Sequence, residues 1–430
     1  MKSFLKSAVV SILTFEAKLL LKRAKPRIIA VTGSVGKTST KDAIFHVIRK
    51  KVPTRKSEKS YNSEIGVPLS ILGLANAWQN PFSWLKNIVD GMILALFPGN
   101  YPEVLVLEAG VDRPGDMKSL TEWLKPDVVV LTCLPSVPVH VEHFSSPEEV
   151  VREKLILVES LKADGVLIYN HDDEKARQAA KSIPQKSIGY ARYSPSDFTA
   201  EADGVVYANS TPVGTRFFIT HKDQRAEFTI NGTVGAQSTE HFAAAAAVAS
   251  VFDISLDECA EGAGTFTPPP GRMRLIPGIK DTMIIDDTYN SSPIALESAL
   301  VTLSELRGFS RKVAVLGDML ELGRHSVSAH EAAGNQAAKT ADILITVGIR
   351  ARGIAEAALN SGMSEKNILQ YEDSVTAGRE LQNLIQPGDV ILIKGSQGIR
   401  MERAVADIMA QPELAEEQLV RQSAVWQSIS

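Results

Sequence analysis

The strongest constraint on this chain is a repeated pattern. Short runs of β-branched and aliphatic residues, each ending in small or polar residues, recur between longer stretches with helical spacing. From Arg27 these runs are RIIAVTG, EVLVLEAG, DVVVLTCL and GVLIYN. Unbroken apolar runs of that length predict strands covered on both faces, as in a parallel sheet, with ligand-bearing loops at their carboxyl ends. TFTPPPGRM, with three prolines and a glycine, marks a linker. Beyond it the pattern resumes in TMIIDDTYN, RKVAVLGDM, DILITVG, NILQYE and DVILIKGS, with helical stretches such as ALESALVTLSELR between them. The segment from about Pro184 to Gly235 differs: it alternates with a period of two and carries turn signals, which predicts an antiparallel β insertion. An alanine-rich helix, HFAAAAAVASVF, follows it.

At 430 residues the chain exceeds what one core usually serves, so two or three domains are expected. A net charge of −4 gives no sign of a nucleic-acid binder. The two cysteines, Cys133 and Cys259, stand in no C-x-x-C pair and beside no histidine at ligand spacing. This argues against a disulfide framework or a zinc site and fits a reducing cytoplasm. The first 26 or so residues have early lysines and a short apolar run, but Glu16 and Lys18 interrupt it and no A-x-A cleavage pattern follows. The spacing of Leu5, Val9, Ile12, Phe15 and Leu19 predicts one face of a helix ending before Pro26 and packed on the first domain. A basic, amphipathic membrane-surface anchor is the alternative.

The stretch RIIAVTGSVGKTSTKD is a strand, a glycine turn and a helix start. It lacks the first glycine of the G-x-x-x-x-G-K-[ST] pattern, where Val31 stands. The rest suits a loop that cradles phosphates: Gly33 and Gly36 leave room for an anion, Lys37 supplies charge, and Thr38 offers a hydroxyl to Mg²⁺. Glu108 ends a buried-type strand, where an acid needs a cation or a partner. Downstream, VHVEHFSSPEEVVREK groups His140, Glu142, His143 and Lys154, without the H-E-x-x-H spacing of a zinc hydrolase.

In order and spacing, VTGSVGKTST, YNSEIGVPLSIL, LEAGVDRPGDM, HVEHFSSPEEVVREK, YNHDD, PPPGRM, IIDDTYNSSP, VAVLGDMLELG and GDVILIKGSQGIRMERAV resemble the Mur ligase family of ATP-dependent amide-forming enzymes. The likeness is to its D-alanyl-D-alanine-adding, MurF-type branch and runs roughly from Arg27 to Val405. That family's phosphate loop also lacks the early glycine. The resemblance implies an N-terminal helix (1–26) and a central P-loop parallel-sheet ATPase domain (27–271) with the β insertion at about 184–235. A Rossmann-like α/β domain (272–410) and a frayed or partly helical tail (411–430) would complete the α/β chain.

The reaction it implies passes through an acyl phosphate that an amine attacks to give amide, ADP and phosphate. By resemblance, Gly33, Ser34, Val35, Gly36, Lys37, Thr38 and Ser39 would wrap the phosphates of ATP, and Arg272, Asp287, Tyr289 and Asn290 would reach the nucleotide from the last domain. Thr38 and Glu108 would hold one Mg²⁺, and His140 a second metal together with Lys154 if that lysine is carbamylated. Carbamylation matters because it turns a cation into an anionic oxygen donor. Lys37, Glu108, His140 and Lys154 would be the catalytic set, and Asn62, Asp318, Glu321, Lys394 and Ser396 would face the substrates.

Those substrates would be a cell-wall precursor peptide and D-alanyl-D-alanine or an amino acid, joined in the cytoplasm by a monomer. Two departures bear on this. Gln237, Ser238 and His241 stand where the family has a G-R-H-N run and an asparagine, which leaves the base contacts open. The front segment is too short to form the UDP-sugar pocket of the peptidoglycan members, which leaves the acceptor open. The same chemistry on a γ-glutamyl or amino-acid polymer, or a nucleotide-binding subunit without turnover, are the alternatives.

Overall fold

The structure, a computed structural model, describes residues 3–58, 61–78 and 80–427. Nine strands build the first sheet: β1 (Arg27–Thr32), β2 (Thr54–Lys56), β3 (Val104–Glu108), β4 (Val128–Leu131), β5 (Val166–Asn170), β6 (Lys186–Ala191), β7 (Phe198–Ala208), β8 (Thr211–His221) and β9 (Gln224–Asn231). Their order is β2-β3-β1-β4-β5-β6-β7-β8-β9, which puts β1 between β3 and β4. Val31 lies opposite Glu108 on one side and Val130 on the other, so the loops after these three strands leave the same edge of the sheet. Val31 is a fully buried strand residue, and this is why the glycine of the common pattern is absent: the turn starts later, at Gly33.

Alternate side chains of β1 enter different layers, as strand geometry requires. Ile29 and Val31 pack with the helix Gln237–Ala249, whose run of buried alanines lets it lie close to the sheet, whereas Ala30 joins Val129 and Leu131 on the other face.

The expected β insertion is differently built. β6 pairs with β5 in parallel, Val166 to Asn170 against Lys186 to Tyr190, and β7 starts parallel to β6. Only β7, β8 and β9 are antiparallel, and they extend the same sheet. Burial explains this: Phe198, Phe217, Phe228 and Ile230 share the core that holds the alanine-rich helix.

The second sheet comprises β10 (Arg274–Gly278), β11 (Thr282–Asp287), β12 (Arg311–Gly317), β13 (Ile343–Val347), β14 (Ile368–Tyr371) and β15 (Asp389–Lys394), in the order β10-β11-β15-β12-β13-β14. All are parallel except β10, an edge strand that tolerates Pro277 there.

Helices α1 (Ser3–Ala24), α2 (Lys37–Ile48), α3 (Gly66–Leu72) and α4 (Pro81–Leu96) belong to the first domain. The expected buried face of α1 is corrected. Leu13, Glu16, Ala17 and Leu20 are buried, while Ile12 and Phe15 are exposed and the Leu5 side chain lies outside the described residues. Packing against both α3 and α4 rotates the helix from the face its hydrophobic spacing suggests. The tail is also better anchored than expected as far as Gln427, beyond which it lies outside the described residues. Arg421 donates to Glu402 (3.0 Å), to the Thr288 carbonyl (3.2 Å) and to the Tyr289 carbonyl. Glu402 is 1% exposed, and a carboxylate so buried needs such partners.

Candidate active site

The turn between β1 and α2 has the geometry of an anion cradle. Gly33 (φ 137°) and Gly36 (φ 85°) adopt left-handed conformations, and a Cβ on Gly36 would press against His241 Cε1 at 2.9 Å. Gly36 is the N-cap of α2 and supplies no side-chain cap, so the first N–H groups of the helix have no side-chain cap partner. Thr132 at the end of β4 braces the loop, its hydroxyl donating to the carbonyls of Val35 (2.8 Å) and Thr32 (3.1 Å). Lys37 Nζ folds back on the Ser34 carbonyl at 3.3 Å. Burial pushes the Lys37 amine below its usual pKa and Arg272 acts the same way, while Glu108 and Asp112 oppose them.

Thr38 and Glu108 meet directly, the hydroxyl donating to Oε2 at 2.8 Å. Asn62 Nδ2 donates to the other carboxylate oxygen at 3.1 Å, and the backbone N–H of Glu108 donates to Ser57 Oγ at 3.2 Å. Two oxygen donors side by side, one of them anionic, suit Mg²⁺. Among the described residues no three His, Cys, Asp or Glu side chains form a metal cage.

His140 and Lys154 make other contacts. His140 Nδ1 lies 2.6 Å from Glu321 Oε2, and its Nε2 lies 3.7 Å from Asp112 Oδ1. Both His140 (φ 67°) and Glu321 (φ 62°) hold left-handed backbones, an uncommon state for such residues, where the two domains touch. Lys154, on the helix Pro147–Glu159, is 1% exposed. Burial, and then the neighbouring charge of Lys37, lower its pKa to about 7, while Asp112 opposes them.

From the second domain Arg272 reaches across, donating to Thr38 Oγ1 at 3.3 Å, its guanidinium stacked 4.0 Å above the Tyr289 ring. Asp287 is ion-paired with Lys394 at 2.6 Å, and Lys394 also donates to the Asn290 carbonyl at 2.9 Å. Ser396 Oγ accepts from the Leu320 N–H at 2.9 Å.

These groups line one cleft of about 2140 Å³ between the domains, whose walls include Ser34 to Ser39, Asn62, Glu108, His140, Arg272, Asp287, Tyr289, Asn290, Glu321, Lys394 and Ser396. Gly33, Lys154 and Asp318 are not on its walls. Asp318 Oδ1 instead accepts from the Ala351 N–H at 2.7 Å, at the start of the helix Arg352–Asn360.

Two cleft groups were not singled out in the sequence for the roles they hold. Asp112 influences Lys37, His140 and Lys154 at once, and its only signal was its place in LEAGVDRPGDM. His241 Nδ1 lies 3.1 Å from Thr40 Oγ1 against the phosphate loop, and burial keeps it neutral, with a pKa near 4.

Fold and cleft together define a two-domain α/β protein in which the turn after β1 faces groups of the second domain across one cleft. Residues 31–249 match the Mur ligase middle domain and residues 271–397 the Mur ligase glutamate ligase domain. The chain belongs to the Mur ligase family and is an ATP-dependent ligase of the acid–amino-acid type. It is 29% identical over 397 residues to UDP-N-acetylmuramoyl-tripeptide:D-alanyl-D-alanine ligase of Bacillus subtilis, covering 92% of this chain and 79% of that one. With the ligase of the same name from Escherichia coli the identity is 27%, over 88% and 76%. The fold matches MurF ligase from Thermotoga maritima in complex with ADP, with a TM-score of 0.75, 24% identity and coverage of 97% and 85%.

Proposed function

We propose that this ligase adds D-alanyl-D-alanine, or a closely related amine, to the carboxylate of a cell-wall precursor peptide. The relatives named above carry that activity in their names, and they align over most of this chain. The observation that carries the reading is a convergence. An uncapped helix start, the Thr38–Glu108 pair and Arg272 from the other domain meet at one point of the cleft.

In this reading the γ-phosphoryl group of ATP passes to the peptide carboxylate, and the amine then displaces phosphate to form the amide. The N–H groups from Gly36 to Ser39 and the Lys37 amine receive the phosphates. Thr38 and Glu108 would hold Mg²⁺, which screens phosphate charge when bound. Lys154 is suited to carbamylation: a buried lysine with a pKa near 7 keeps a neutral, nucleophilic amine at neutral pH, which an ordinary lysine does not. Its carbamate, with His140, would supply the second metal site. Arg272, braced on Tyr289 and reaching Thr38, would bring charge from the second domain to the nucleotide, and a cleft closed over the acyl phosphate would exclude water from it. Asn62 and Glu321 face the cleft where the acceptor and the amine would meet.

The test is phosphate release with UDP-linked muramoyl tripeptide and D-alanyl-D-alanine. Lys37→Ala is expected to lower turnover by roughly 10³-fold, the scale of losing a preorganised charge at a transferring phosphoryl group. Survival of activity in that variant would remove the loop from the chemistry.

A further inference from the structure

A second surface lies outside the cleft. Helix α4 buries Trp84, Gly91 and Ala95, yet its other side is apolar too: Phe82, Leu85, Val89, Ile93 and Phe97 are all at least half exposed, Phe82 to 82%. These positions recur every three or four residues and form one stripe. A helix apolar on both sides is ordinarily enclosed. Here the neighbour that would enclose it is only partly provided by α1. That helix lies alongside, with Glu16 against Gly91 and the Arg23 guanidinium donating to the Leu96 carbonyl at 2.5 Å, so the two run in the same direction. Ile12 and Phe15 of the neighbouring α1 are exposed as well, and a run of apolar residues along one helix face differs from the singly scattered ones of an ordinary surface.

Charge completes the picture. Exposed Lys22, Arg23 and Lys25 lie at the end of α1 on this side, and the only acid of α1, Glu16, is fully buried. On α4 the single acid, Asp90, is paired with Lys86. A local excess of positive charge therefore rims an apolar stripe on a chain whose net charge is −4. Among the described residues no helix is long and apolar enough to cross a membrane.

We propose that the outer face of α1 and α4 seats this ligase on an anionic phospholipid bilayer, both helices lying in the interfacial plane. The apolar side chains enter the acyl boundary and the lysines meet the headgroups, the arrangement of interfacial helices. A second copy of the chain fits less well, because a two-fold contact would set one basic rim against another. The seat also orients the cleft. Lys6, Val10, Thr14 and Lys18, on a different flank of α1, line the cleft wall, so a docked enzyme opens its cleft beside the membrane. The proposal stands apart from the identity of the cleft's substrates.

Flotation of the full chain with vesicles tests it. The protein is expected to float with phosphatidylcholine vesicles containing phosphatidylglycerol and to stay down with phosphatidylcholine alone, with binding weakening as salt is raised. Val89→Glu with Ile93→Glu, both at exposed positions, is expected to lower vesicle binding by at least roughly tenfold. The same variant is expected to keep its vesicle-free phosphate release, which shows it is folded. Lys22→Glu with Lys25→Glu is expected to erase the preference for anionic lipid. Failure of the wild type to float at low salt would overturn the proposal. So would undiminished flotation of the Val89→Glu, Ile93→Glu variant, or light scattering that shows a wild-type dimer which this variant dissociates.

Discussion

Glu108 and Glu16 are both buried acids, 1% and 0% exposed, and their surroundings are opposite. Glu108 has a hydroxyl on one oxygen and an amide on the other, at the mouth of a cleft. Glu16 has no hydrogen-bond partner on either oxygen among the described residues and is enclosed between helices. Desolvation raises the Glu16 pKa from 4.5 to about 7. Burial alone therefore does not mark a site. An acid met by ready donors at a cleft is placed to take a cation, whereas an acid without donors is a cost to the fold. The sharpest way to break this contrast is to neutralise Glu108. Glu108→Gln is expected to lower turnover roughly 10²–10³-fold with little change in melting temperature, since the amide oxygen can accept from Asn62 while its NH2 donates to the Thr38 hydroxyl, reversing that one bond. A variant of near-wild-type activity would make Glu108 merely structural.

Lys154 lies between the two cases, buried like Glu16 yet close to the cleft groups. If it becomes a carbamate, Lys154→Gln is expected to lower turnover by roughly 10²-fold, because an amide brings no anionic oxygen to a metal. Intact-mass measurement at alkaline pH with bicarbonate is expected to find the carbamate in the wild type alone. Full activity of Lys154→Gln would remove that residue from the metal site.

Much of this was legible in the sequence, for a physical reason. The central strands of both sheets are buried on two faces, so their composition shows through, and several of them, β1, β3, β11 and β15 among them, lead into residues that line the cleft. The turn after β1 and Glu108 could be picked out as neighbours because strand order and strand ends bring them to one edge of the sheet. Pairing was not legible. Asp287 and Lys394, assigned to different ligands, neutralise each other across β11 and β15, and no spacing rule predicts a contact between residues so distant in the chain. Nor did hydrophobic spacing orient α1, since α1 has apolar residues on its exposed side as well as its buried one. The antiparallel strands were seen as a unit but not as an extension of the parallel sheet, because alternation reports which face is covered and not which neighbour covers the edge.

The Glu16 environment predicts a stability that depends on pH in a definite direction. Its folded-state pKa is raised, so the folded chain binds the extra proton between pH 4.5 and about 7. The contribution is fully present below pH 4.5, declines through that window, and is lost above about pH 7. Glu16→Leu is therefore expected to stabilise the protein at pH 8, by about 1–2 kcal/mol from removing an unsatisfied buried polar group, and by less at pH 5. Urea unfolding at the two pH values measures it. An equal gain at both would show that Glu16 does not titrate in this window.

The smallest effect concerns Asp318, which the family resemblance assigns to substrate and the geometry assigns to a helix. Its carboxylate receives the Ala351 N–H at 2.7 Å and lies off the cleft wall, beside Gly348 (φ 105°), where a side chain would collide with it. Both features belong to a cap that ties the end of β12 to the helix after β13. Asp318→Ala is then expected to cost about 1 kcal/mol, the usual loss of a helix-start acceptor, and Asp318→Asn much less, since an amide oxygen can accept the same bond. Kinetics separate the two assignments. A cap moves stability and leaves the KM for the amine substrate unchanged, whereas a carboxylate that binds the substrate's ammonium raises that KM at least tenfold even in the Asn variant. A large KM effect in Asp318→Asn would mean that this acid turns into the cleft when substrate enters, and the division drawn here between cleft groups and scaffold groups would have to move with it.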